Sequence, residues 1–105
     1  MNNFKIIYKI LKHLEASLDY EEVDLAQITA EQLGISEVRW EQLLIMLYEE
    51  GYISGIAVSK SLSTDRKQIC RPARPNITLK GLEYLEENSI IKKTEKIIRG
   101  VSEIL

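Results

Sequence analysis

Lys60, Arg66, Lys67, Arg71 and Arg74 fall within one fifteen-residue stretch, opposed only by Asp65. Cations gathered this way suit a phosphate backbone, because each one set against a phosphate releases condensed counterions. The same run equally suits a solvated loop kept from aggregating by its charge. Other residues with chemical capacity are sparse. His13 has no carboxylate or cysteine at ligand spacing, and Cys70 is the single cysteine, so neither a metal set nor a nucleophile–base pair assembles. Asp19, Glu21, Glu22 and Asp24 lack the glycine and terminal glutamate of a calcium loop and read as a solvated connector. Gly55 and Gly100 form no phosphate-cradling loop. The pattern predicts no enzyme, no metal and no cofactor.

The elements that must carry the cations are legible in the periodicity. Phe4, Ile7, Leu11, Leu14 and Leu18 recur at helical spacing and predict a first helix over about 3–18 with these residues inward. Leu25 to Ile28 follows as a short strand or the lead-in to a helix. Thr29 with Gln32 three residues on is a capping box, so a second helix starts at Ala30, and Gly34 ends it. Ser36 caps a third helix, with Glu37 favourably placed against its dipole. Trp40, Leu43, Leu44 and Leu47 form that helix's core face, with Trp40 as anchor. Ser36, Glu37, Val38, Arg39, Glu41, Gln42 and Ile45 are expected to face outward. Gly51 stops the helix, and the pair reads as a helix-turn-helix over about 29–50. Tyr52, Ile53, Ile56 and Val58 then begin a hairpin over about 52–77, whose second extended segment ends near Ile77. Its long tip is a polar, basic loop from Ser59 to Pro75, where Pro72 and Pro75 block helix. Thr78 caps a helix through Leu79, Leu82 and Leu85 that ends near Asn88. Ser89 starts a last helix, and the two occupy about 78–105.

With 105 residues, 45% of them hydrophobic and 29% charged, the chain reads as one domain, 1–105, that buries roughly 65% of its unfolded surface. Net charge is −2, but residues 13–50 hold ten acids against Arg39 alone. A mildly acidic domain with one basic segment is no general polyanion binder. Lys5, Lys9 and Lys12 interrupt the apolar N-terminal residues, so neither a signal peptide nor a membrane span is expected. The lone cysteine suggests a reduced, cytoplasmic setting.

Ala30-Glu31-Gln32-Leu33-Gly34-Ile35-Ser36 resembles the signature of bacterial winged helix-turn-helix proteins, with Arg39-Trp40, Leu44, Leu47, Gly51 and Ile53 following in register. Ile77-Thr78-Leu79-Lys80-Gly81-Leu82-Glu83-Tyr84-Leu85 resembles the helix after the wing in that group. More narrowly, Gly51-Tyr52-Ile53-Ser54-Gly55-Ile56 and the run Thr78 to Asn88 make the chain similar to the YjcQ-like family, small winged-helix proteins of bacteria and their phages. The resemblance spans nearly the whole chain. It implies an α+β winged helix-turn-helix with a β-hairpin wing and two C-terminal helices, and at most a phage context. It implies no activity.

Two functions fit this reading. In the first, the chain is a small regulator that binds double-stranded DNA. Ser36, Arg39 and Gln42 enter the major groove, with Arg39 on guanine and Gln42 on adenine, while Lys60, Arg66, Lys67, Arg71 and Arg74 hold the backbone. In the second, the same frame serves as a protein-interaction module without a nucleic-acid face. The charge of the third helix favours the second, since Glu37 and Glu41 would face phosphates; the charge of the wing favours the first. The last helix carries more apolar residues than a closing helix needs. Ile98, Val101 and Leu105 are therefore candidates for a homodimer interface, the alternative being a monomer whose last helix closes the core.

Overall fold

Polar caps and left-handed glycines divide the chain into its elements. The computed structural model describes residues 2–89. Helix α1 (Asn3–Ala16) opens at Asn2, whose side chain accepts from the Phe4 N–H, and closes into a 3-10 turn, Ser17–Asp19. A second 3-10 turn, Leu25–Ile28, starts at Asp24, whose carboxylate accepts from the Ala26 N–H. The Thr29 hydroxyl accepts from the Gln32 N–H to start α2 (Ala30–Leu33), and Gly34, at φ +70°, ends it. The Ser36 hydroxyl accepts from the Arg39 N–H at 3.1 Å to start α3 (Glu37–Glu49).

Past Gly51 come four short strands, β1 (Ile53–Ser54), β2 (Ala57–Lys60), β3 (Lys67–Cys70) and β4 (Asn76–Ile77). β1 pairs antiparallel with β4, and β2 with β3, so the four make one arm interrupted midway. The interruption has a cause on each side. Gly55 takes φ +82°, and a Cβ there would lie 2.0 Å from the Arg74 carbonyl oxygen. Pro72 and Pro75, expected in a loop from Ser59 to Pro75 at the tip, lie instead between β3 and β4 and supply no N–H to a ladder. β3 falls inside that expected loop because Lys67–Cys70 pairs with β2. Helix α4 covers 79–89 within the described residues. Thr78 caps it, accepting from the Gly81 N–H while donating to the Gly51 carbonyl, which ties the end of the arm to the end of α3. The fold is therefore mixed α+β: helices around a small antiparallel arm.

The core joins Ile6, Ile10, Leu11 and Leu14 of α1 to Ile28, Leu33, Leu43, Leu44, Leu47, Ile53, Ile77 and Leu85. This corrects the expected face of α1. Phe4 and Leu18 are exposed, at 69% and 59%, while Ile6 and Ile10 are fully buried. Leu11 and Leu14 point inward as expected, and the inward face is turned by about 55° at 100° per residue, far enough to bring in Ile6 and Ile10 and to leave Phe4 and Leu18 in water. The segment 25–28 is a 3-10 turn, not a strand, because the Asp24 cap folds it locally. Leu79 is 80% exposed, leaving Leu82, Tyr84 and Leu85 to face inward. Ser89 is still helical, and the Asn88 side chain donates back to the Tyr84 carbonyl at 2.8 Å; the last helix expected from Ser89 onward lies outside the described residues. Ile98, Val101 and Leu105 lie outside the described residues. Among those described, no helix is long and apolar enough to cross a membrane.

Candidate functional site

Helix α3 has a second covered face. Its core side runs through Trp40, Leu43, Leu44 and Leu47. At 3.6 residues per turn, Glu41, Gln42, Ile45 and Glu49 centre roughly 165° away. The arm lies along that far face. The Gln42 amide donates to the Lys67 carbonyl at 3.2 Å, and one Glu41 carboxylate oxygen accepts from the Ile69 N–H at 3.4 Å. The other Glu41 oxygen stands 3.9 Å from the Arg66 guanidinium, and the Lys67 ammonium reaches Glu49 at 2.5 Å. Ile45, one turn from both Glu41 and Glu49, is 2% exposed. It was expected to face outward. A helix with core on one side and a strand on the other needs an apolar residue on both, and Ile45 fills the second role.

The structure distributes the remaining candidates unevenly. Ser36 spends its hydroxyl on the cap. Lys60 stands 3.8 Å from Asp65 at the tip, both well exposed. Arg66 and Lys67 turn toward α3. Arg39, Arg71 and Arg74 are exposed, and their side chains have no partner among the described residues. Arg74 borders an open cleft of about 410 Å³ that Glu21 and Glu22 also line, so acids share its surroundings. Acids therefore stand near Lys60, Arg66, Lys67 and Arg74 among the candidates. What stays open on α3 is two strips, one through Arg39 and Met46 and one through Glu37 and Tyr48, with Val38 at the rim. The part played by Ile45 and Glu49 escaped the sequence reading. The available signal was an apolar residue on the far face flanked by acids four residues either side, with lysines and a β-branched run in the hairpin to meet them.

The other reactive side chains have structural partners. His13 donates from Nε2 to the Asp24 carbonyl at 2.6 Å, fastening α1 to the following turn. Trp40 is half-buried, packs on the core and donates from Nε1 to the Ile28 carbonyl at 2.7 Å. Cys70 is an exposed free thiol at the end of β3. No group of three or more His, Cys, Asp or Glu able to hold a metal occurs among the described residues. Tyr84 sits 5.2 Å from the Tyr52 ring; burial, then the Tyr52 phenol, holds its own phenol above the ordinary tyrosine value.

The sequence pattern of the YjcQ protein family matches residues 8–104. The chain belongs to the YjcQ family. Similar to it over nearly its full length is a protein of Bacillus subtilis (strain 168), 31% identical over 104 residues that make up 98% of this chain and 97% of that one. Its name, Uncharacterized protein YjcQ, assigns no activity. No solved structure matches the chain. Both α3 and the arm that covers it lie inside the residues matched to the YjcQ family, so the covered face belongs to the family region and is no appendage to it.

Proposed function

We propose that the chain is a cytoplasmic winged-helix protein-interaction module that does not use α3 to read nucleic acid. One observation carries this reading: β3 lies along Glu41, Gln42 and Glu49 on the α3 face opposite the core, which leaves only the first turn of that helix free to approach a major groove. Two of the wing's five cations, Arg66 and Lys67, are engaged by acids of that same helix, so they give less to a phosphate backbone. The open surface of α3 has the composition of a protein contact, with exposed Arg39, Met46 at 55% exposure and Val38 at 54%. Methionine and arginine are enriched at protein interfaces. The exposed Cys70 thiol suits a reducing compartment.

Retardation of a labelled mixed-sequence duplex, at low and at moderate salt, tests the reading. No retardation is expected. A second reading, a small phage-related DNA-binding regulator, is favoured by the exposed Arg39, Arg71 and Arg74, whose side chains have no partner among the described residues. Under it the duplex is retarded, and replacing those three by glutamine flattens the salt dependence by up to about 0.9 log units per lost phosphate contact. That result would displace the interaction module.

A further inference from the structure

We infer that the outer edge of β2 is a docking edge for an extended, acidic segment of a partner protein, which adds to the arm as a third strand. This rests on the reading of the chain as an interaction module and gives that reading a surface.

The phase of the hydrogen bonds shows which groups are open. In an antiparallel pair, residues that bond across the ladder alternate with residues whose N–H and C=O point away from it. The Ile69 N–H and the Lys67 carbonyl both point out toward α3, where Glu41 and Gln42 take them. Ile69 and Lys67 therefore hold the outward-pointing positions. Their cross-strand partners are Val58 and Lys60. The N–H and C=O of Val58 and of Lys60 must then point out on the opposite side. The Ser61 N–H to Arg66 carbonyl bond, at 3.2 Å and one residue further on, has the phase this requires. No described strand lies beyond β2, since its sheet has two strands. Among the described residues, the fold closes one edge of the arm with two side chains of α3 and leaves the other open. Open edges are templates for strand addition, with main-chain bonds supplying affinity.

Charge selects the occupant. Lys60 stands on this edge, exposed, and its described partner is the fully exposed Asp65 at 3.8 Å, a weak pair that an incoming carboxylate displaces. The segment 60–74 is cationic within a chain of net charge −2. An acidic strand is attracted, and a basic one repelled. A second copy fits less well, because it brings the same cations and a four-residue strand supplies far less than the roughly 1,200 Å² of a stable interface.

The probe is a short synthetic peptide alternating threonine or valine with glutamate. Its controls are the lysine counterpart and a version N-methylated at every second backbone nitrogen, all added to the isotope-labelled full chain. With the acidic peptide, the Val58 and Lys60 amide signals should shift and their hydrogen exchange should slow, while both controls leave them unchanged. Lys60→Pro removes an outward N–H that β3 does not use, so the arm stays paired and peptide affinity falls about tenfold or more. Lys60→Thr, which keeps the N–H, loses less. An acidic peptide that leaves the Val58 and Lys60 amides unprotected, or that Lys60→Pro binds as well as the parent, overturns the proposal. If such a peptide instead perturbs Val38 and Met46, the edge assignment falls and the interaction module stands. If duplex DNA alone protects the arm, both fall.

Discussion

Ile45→Ala separates a seated arm from a free one by the sign of its effect. At an exposed helical position the change is neutral or slightly stabilising, since alanine has the better helix propensity by a few tenths of a kcal/mol. In the structure Ile45 is 2% exposed on the side of α3 away from the core. Three carbon groups are lost, each about 0.8 kcal/mol of transfer free energy, and the residual cavity adds to that. The expected loss is about 3 kcal/mol, which lowers the melting temperature by roughly 12–24 °C at about 4–8 °C per kcal/mol. Ile45→Val keeps most of the contact and should cost only about 0.5–1.5 kcal/mol. Urea unfolding followed by circular dichroism, with the slope unchanged from the parent, measures both. A change within about 0.5 kcal/mol of zero for Ile45→Ala would mean that β3 does not rest on α3, and the main support for a non-DNA function would go with it.

Three other outcomes follow from particular contacts. Gly55→Ala demands φ near +82° of a residue with a Cβ and drives that atom against the Arg74 carbonyl, so the arm should lose hydrogen-exchange protection at Gln68 and Cys70; unchanged protection would refute the clash. Trp40→Phe removes the donor to the Ile28 carbonyl, 2.7 Å away, and should cost about 1 kcal/mol or more in urea unfolding; an unaltered midpoint would show that water replaces the bond at no cost. Tyr84, held high by burial and by Tyr52, should ionise above the ordinary tyrosine value in an ultraviolet titration. Because its folded value lies above its unfolded one, that contribution to stability is complete below the unfolded value and is lost as pH rises through the folded one; a Tyr84 signal titrating at the ordinary value would contradict the packing.

The sequence by itself determined the features that depend on a few neighbouring residues. Thr29 with Gln32, Gly34, Ser36 and Gly51 placed the ends of α2 and α3, because a cap or a left-handed turn is satisfied within three or four residues. The core face of α3 and the position of the arm were legible for the same reason, each period repeating over a short span. The charge of the arm was also plain, but its use was not. Arg66 meets Glu41, and Lys67 meets Glu49, across 25 and 18 residues of chain, and no local pattern says whether a hairpin leans on a helix or stands free of it. The exact rotation of α1 was not legible for a related reason: Leu11 and Leu14 fit a face that also takes in Phe4 and Leu18 or one that takes in Ile6 and Ile10, and only α3, the turn at Ile28 and the strands at Ile53 and Ile77 select the second. A helix carries its propensity in its own residues. Which of its faces stay in water is set by long-range packing, and the candidate function depended on that packing.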